Sequence, residues 1–413
     1  IRDSVYTNYE EGIYFMKKLL TYLRDYKKEC VLAPLFKLME ASFELIVPLV
    51  MAAIIDKGIA LSDHPYIFRM GGVLVLLALI GLTCSITAQF FAAKAAVGFS
   101  TKLRYALFSH IESLSFSEMD TIGTSTLITR MTSDINQVQS GVNMVLRLFL
   151  RSPFIVFGAM IMAFTVNVKA AFVFVVTIPL LSVVVFSVMA ASIPLFKKVQ
   201  NGLDQVLGHT RENLEGARVI RAFNKEEQEQ KEFYESNGFL TNMQMIVGRI
   251  STLMNPLTYI IINCAILAVI WIGGKQVYGG IITQGEVVAL VNYMSQILVE
   301  LVKLANLIVN INKSIACGNR IQEVFEIQSS IESGSKEADE TVEKDAPAVE
   351  FSHVSMSYAG SAEESLTDID FTVKKGQTIG IIGGTGSGKS SVVNLIPRFY
   401  DVSKGCVLSL IHI

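Results

Sequence analysis

The sequence predicts a mainly α-helical, membrane-spanning chain that leads into the opening segment of an α/β P-loop domain. Three observations predict it. The 413 residues are 51% hydrophobic and only 17% charged, with a mean hydropathy of +0.46, whereas soluble chains carry about 25% charged residues. Between Val31 and Val309, apolar stretches recur that approach the ~20 residues needed to cross a bilayer. Near the far end, Gly383-Gly384-Thr385-Gly386-Ser387-Gly388-Lys389-Ser390 fits G-x-x-x-x-G-K-[ST] at every fixed position.

Residues 1–15 are expected to be a non-native leader. Asp3, Glu10 and Glu11 with no apolar run do not resemble a signal peptide. Glu10-Glu11-Gly12 back-translates to a purine-rich ribosome-binding site, and Met16-Lys17-Lys18 reads as a bacterial start. Met16 to Cys30 sets Leu19, Leu20 and Leu23 among Lys17, Lys18, Arg24, Lys27 and Lys28, the pattern of a helix lying in the cytoplasmic membrane interface.

Six spans follow, at about Val31–Ile55, Gly71–Ala93, Val145–Val166, Ala170–Ala191, Leu253–Ile272 and Val287–Val309, in a membrane domain covering 16–326. The first carries Lys37, Glu40 and Glu44 on one helical face. Charges in a span mark a functional site by default. All three fall in the cytoplasmic half, however, so they are expected to project into the cytosol. Asp56–Arg69, Asn167–Lys169 and Gly273–Glu286 are short and nearly free of basic clusters. Lys94–Met144 and Ser192–Thr252 are long and basic, with Arg104, Arg130, Lys197, Lys198, Arg211, Arg218 and Arg221 among their cations. The positive-inside rule places these and both termini in the cytosol, on the side where ATP is. The long stretches keep helical periodicity, as at Leu203, Val206 and Leu207, and lack Gly/Pro clusters. They are expected to extend the spanning helices, with a short helix at each tip.

Ile327 to Ala346 turns serine-rich and acidic, so 327–347 reads as a solvated linker. From Val349 the pattern changes to strands, at Val349–Phe351, Val354–Tyr358 and Leu366–Val373, in a domain piece covering 348–407. Thr378–Ile382 is a fourth expected strand, and Ser391–Ile396 continues as helix. Strand, glycine loop and helix together are the setting of a phosphate-binding loop. The glycines allow consecutive backbone N–H groups to face one concavity, and the helix start adds partial positive charge. Lys389 is expected to reach the β- and γ-phosphates, and the Ser390 hydroxyl to take one position on Mg²⁺. Leu408–Ile413 back-translates to a sequencing adapter and is expected to be an artefactual tail. Cys30, Cys84, Cys264, Cys317 and Cys406 are scattered and odd in number, which argues against a disulfide framework or a zinc site. A net charge of -2 gives no hint of nucleic acid.

Interfacial helix, six spans with long cytoplasmic excursions, linker and P-loop domain, in that order, resemble the half-transporters of the ATP-binding cassette exporter family, bacterial multidrug, lipid or peptide type. Three segments carry the resemblance. Gly380–Ser391 is similar to the family's Walker A segment. Tyr358 sits where the family places an aromatic residue that stacks on adenine. Glu215-Gly216-Ala217-Arg218-Val219-Ile220-Arg221-Ala222-Phe223 is similar to the second intracellular loop. The resemblance implies a six-helix exporter membrane domain and an ATP site made of Tyr358, Gly383, Gly384, Thr385, Gly386, Ser387, Gly388, Lys389, Ser390 and Ser391, with Ser390 on Mg²⁺. It implies coupling helices at Ser115–Gly123 and Thr210–Ala217. The partners would be a second half-transporter, the lipid bilayer and an amphipathic exported substrate, in the bacterial cytoplasmic membrane. The family's Q-loop, LSGGQ signature, Walker B strand, catalytic glutamate and switch histidine lie beyond the Walker A helix, and none is found in this sequence. The resemblance therefore implies an ATPase when full length, while these 413 residues contain no catalytic residue and are expected to bind ATP weakly. A membrane-anchored P-loop kinase and a non-hydrolysing partner subunit are the alternatives.

Overall fold

The structure, a computed structural model, describes residues 19–331, 347–361 and 363–409. The expected leader, Met16–Lys18, residues 332–346 of the expected linker and residues 410–413 lie outside the described residues. Among the described residues, six helices are long and apolar enough to cross a membrane: Thr21–Ile59, His64–Glu112, Thr124–Val166, Val168–Glu215, Glu226–Tyr278 and Gln284–Glu326. Each expected span falls inside one of them.

Within and between these, the helices are α1 (Lys27–Ala53), α2 (His64–Glu112), α3 (Phe116–Ile122), α4 (Thr124–Thr129), α5 (Ile135–Leu148), α6 (Arg151–Val166), α7 (Val168–Glu215), α8 (Ala217–Ala222), α9 (Glu226–Tyr278) and α10 (Gln284–Glu326). The described part of the expected interfacial helix is a 3₁₀ turn, Leu20–Tyr26, that runs into α1 without a break. Tyr26 fixes that turn: its ring lies so close to Gly98 that a Cβ there would sit 2.2 Å from it. Lys102 pairs with the neighbouring Asp25.

Contacts divide the chain into two units. One comprises residues 27–95 and 142–312. Its core joins Ala41, Leu45 and Ala52 of α1, Ile155, Ala159 and Ala163 of α6, Phe174 and Leu181 of α7, Ile262 and Val269 of α9, and Leu290, Tyr293 and Ile297 of α10. Many of these are alanines, because without a strong hydrophobic drive between helices in lipid, close backbone approach supplies the attraction. At Gly285 a Cβ would lie 2.3 Å from the Ala52 carbonyl oxygen. The buried Tyr293 hydroxyl donates to the Leu45 carbonyl at 2.7 Å, close to the turn that Pro48 deprives of a backbone donor. Phe172, Val176, Ile260 and Trp271 are exposed, as lipid-facing side chains require.

Lys37, Glu40 and Glu44 do not behave as freely projecting charges. Lys37 is 6% exposed and donates to Glu40 at 2.6 Å and to Ser85 at 3.0 Å. Glu44 accepts from Arg151 at 2.6 Å. A long charged side chain beside neighbouring helices finds partners more cheaply than it reaches water.

The other unit comprises residues up to 26, 96–141 and 313 onward. The first expected tip helix is present as α3. Ser115 and Glu118 form a capping box at its start, and Gly123, at φ 83°, ends it. The second tip lies further along than expected. Thr210–Glu215 remains part of α7, and the short helix is α8. Gly216 is the first residue there that breaks a helix, and its N–H donates back to Glu212 at 2.7 Å.

Beyond the linker, β1 (Val349–Met356), β2 (Leu366–Val373) and β3 (Lys404–Ser409) form an antiparallel sheet in the order β2-β1-β3. Phe351 and Phe371 stack across β1 and β2 at 4.5 Å. Helix α11 (Lys389–Leu395) adds Val392 and Leu395 to the buried face. Thr378–Ile382 is not a strand. Its residues carry no ladder among the described residues, and Ile382 is 97% exposed. β-propensity supplies a surface, but a strand exists only through its neighbours. Leu408 and Ser409, assigned from sequence to the tail, pair with Glu350 and Val349. Backbone pairing is indifferent to their origin.

Candidate functional site

The P-loop is positioned by its flanks. Leu366 of β2 lies beneath it: a Cβ at Gly388 would sit 2.7 Å from the Leu366 side chain and 3.2 Å from the Ser365 carbonyl oxygen. Gly386 and Gly388 have φ of 86° and 80°, in the left-handed region that only glycine adopts without strain. These two glycines turn the chain so that α11 starts at Lys389.

Lys389 folds over the loop. Its ammonium donates to the Gly383 and Gly384 carbonyls at 3.0 and 2.6 Å and to the Ser387 hydroxyl at 3.3 Å. A pocket of about 400 Å³ is lined by Tyr358, Glu364, Ser365 and the run Gly386–Ser391. Sequence-singled Tyr358, Gly386, Ser387, Gly388, Lys389, Ser390 and Ser391 therefore converge. Gly383, Gly384 and Thr385 do not line the pocket; the first two face Lys389 through their carbonyls. The pocket suits a polyphosphate: small and polar, with Lys389 and two left-handed glycines on its wall. For Mg²⁺ it offers the Ser390 hydroxyl, and no cluster of metal-ligating side chains occurs among the described residues. Mg²⁺ held mainly by substrate phosphates needs little more.

Tyr358 is tied into the pocket wall through its hydroxyl, 2.9 Å from that of Ser391. Its ring meets Tyr400 edge-on at 5.1 Å. The Tyr400 hydroxyl donates to Asp120 on α3 at 2.6 Å, and Phe399 packs on Phe116 at the start of α3 with ring centroids 4.5 Å apart. The bond to Asp120, with some burial, pushes the Tyr400 pKa up to about 12. On the same helix, burial works against Glu118, but hydrogen bonds with Ser115 and Ser330 outweigh it and hold the carboxyl below its ordinary range. An unbroken line of contacts thus leads from Ser391 through Tyr358 and Tyr400 to the tip helix. Tyr400 and Asp120 had not been singled out from sequence. The only signal was a pair of aromatics, Phe399-Tyr400, following the P-loop helix.

Residues 30–301 match the family model of the ABC transporter transmembrane region, and residues 366–410 that of the ABC transporter. The chain belongs to the ABC transporter family. This ABC transporter chain is 34% identical over 391 residues to the uncharacterized ABC transporter ATP-binding protein YfiB of Bacillus subtilis, covering 94% of this chain and 67% of that protein. It is 30% identical over 406 residues to the putative multidrug export ATP-binding/permease protein YgaD of the same organism, covering 95% and 68%. To the ATP-dependent lipid A-core flippase of Desulfotalea psychrophila it is 29% identical over 304 residues, covering 74% and 52%. The transporter is thus a multi-pass membrane protein of ABC exporter type, with six candidate spans followed by the start of its ATP-binding domain.

Proposed function

We infer that the chain is part of one subunit of an ATP-driven exporter that moves an amphipathic drug, lipid or peptide out across the bacterial cytoplasmic membrane. The contact line from the P-loop pocket through Tyr358 and Tyr400 to Asp120 of α3 carries the reading, because it gives nucleotide occupancy a route to the helices that α3 joins. The relatives named for multidrug export and lipid flipping supply the direction and the breadth of substrate.

In this reading Tyr358 stacks on the adenine. The loop Gly383–Gly388 holds the phosphates through backbone N–H groups, with Ser391 behind it. Lys389 leaves its three oxygen partners for the terminal phosphates, and Ser390 is the protein's ligand on Mg²⁺, which screens charge between the phosphates. A second half-transporter completes the machine, and both termini face the cytosol, following the basic excursions. ATP drives the change only through its differential affinity for two states of the membrane half. Six candidate spans with long excursions disfavour a kinase, which needs only an anchor.

Equilibrium binding of radiolabelled ATP to the purified chain, with Mg²⁺, tests the site. Weak saturable binding that Lys389→Ala lowers about 10- to 100-fold is expected, since hydrogen bonds to a charged group contribute about 1.5–3 kcal/mol. Unchanged affinity in that variant contradicts the assignment.

A further inference from the structure

One wall residue of the P-loop pocket has no part so far in holding base, phosphates or Mg²⁺. Glu364 lines that pocket beside Tyr358, Ser365 and the run Gly386–Ser391. Tyr358 and Glu364 belong to the same connection between β1 and β2, which closes where the Ser365 N–H donates to the Met356 carbonyl at 2.8 Å. Ser365 carries the wall on to the P-loop, since its carbonyl oxygen would lie 3.2 Å from a Cβ on Gly388. By its neighbours, then, Glu364 connects the aromatic wall to the glycine loop.

Lys404, at the start of β3, fixes the side chain by donating to Glu364 Oε1 at 3.0 Å. That bond, with lesser help from Thr367 and Ser355, holds the carboxyl below its ordinary range and keeps it ionised at neutral pH. An exposed ion pair adds little stability by itself, so holding the hairpin does not account for it. An ionised carboxylate only accepts, at about four lone-pair sites. Lys404 leaves accepting capacity to spare, and 30% of the Glu364 side chain is open. Ionised phosphates carry no donor and are repelled. The donors of a nucleotide are its ribose hydroxyls and the N–H groups of its base. Ribose joins base to phosphates as Glu364 joins Tyr358 to the glycine loop, and a carboxylate on ribose hydroxyls is a recurring pairing in nucleotide sites.

We propose that Glu364 reads the sugar: its carboxylate accepts from the ribose hydroxyls, so the site takes ribonucleoside triphosphates in preference to analogues lacking them. The inference rests on the ATP site proposed above and names what that site selects.

Competition against radiolabelled ATP on the purified chain, with Mg²⁺, compares ATP, 2′,3′-dideoxy-ATP and inorganic triphosphate. ATP should bind about tenfold or more tighter than the dideoxy analogue, as hydrogen bonds to a charged acceptor imply. Glu364→Ala should bring ATP down to the level of the analogue and leave triphosphate undiminished. Glu364→Gln, which keeps the shape and a neutral acceptor, should retain part of the preference. The ratio in the parent chain decides even where a variant fails to fold. Equal affinity of the parent for ATP and the dideoxy analogue, or a Glu364→Ala chain with the parental preference, overturns the proposal while the ATP site stands. Absence of saturable ATP binding overturns the ATP site itself, and this proposal with it.

Discussion

At the residue scale, Lys389 was singled out by the glycine-loop pattern and Tyr358 by the resemblance to the exporter family, and both line one pocket. Tyr358→Ala should weaken ATP by about 1–3 kcal/mol, the usual worth of a base on an aromatic face, and leave inorganic triphosphate binding unchanged. Calorimetric titration of both ligands checks this, and equal losses would rule out stacking. Tyr400 was not legible, since its importance lies in Asp120, 280 positions away. Its pKa, raised to about 12 from an ordinary value of 10.0, makes a signed prediction. The neutral hydroxyl is the bonded form, so the Tyr400–Asp120 contact stabilises fully below pH 10 and is lost as pH rises towards 12. Difference absorbance of tyrosinate between the chain and Tyr400→Phe should show one late-titrating tyrosine missing from the variant. A missing component titrating near 10 would contradict the bond. Arg151 and Glu300, bonded at 2.7 Å, escaped notice for a similar reason. Each lies within an apolar stretch, and periodicity does not say which helix supplies its partner.

At the scale of elements, the six spans were readable because the bilayer sets a length and a composition that few other structures share. Helix α3 was expected from the resemblance to the exporter family, and the structure supplies its physical reason: Ser115, Glu118 and Gly123 are start and stop signals three and five residues apart in one short run. The second tip was misplaced because Thr210–Glu215 carries no such signal, and α7 continues until Gly216 interrupts it. Thr378–Ile382 shows the limit of propensity: five residues of strand character stay outside the β2-β1-β3 sheet, joining neither of its outer strands. Helix contacts make two predictions. Gly285→Ala places a methyl against the Ala52 carbonyl, which backbone alone can relieve, so it should destabilise by about 1–3 kcal/mol. Arg151→Met leaves Glu300 with Lys303 and Ser152 but strips Glu44 of its one donor, and should cost about 3 kcal/mol. Thermal unfolding in detergent, followed by circular dichroism, checks both. Variants as stable as the parent would show these contacts to be incidental.

At the scale of the molecule, a nucleotide pocket and a bundle of apolar helices become one machine only if occupancy of the first is felt in the second. The contacts Ser391–Tyr358–Tyr400–Asp120 are a physical route for that effect, and they end on a capped helix between two spanning helices. Two discrete arrangements of packed helices, biased by a ligand with unequal affinity for them, would convert a local contact into movement. The most direct measurement is amide hydrogen exchange of the purified chain with and without saturating Mg-ATP, in the parent and in Lys389→Ala. ATP should slow exchange in residues 383–391 and also in α3, and both effects should vanish in Lys389→Ala. Protection confined to the P-loop, with α3 exchanging at the same rate whether ATP is bound or not, would contradict the account.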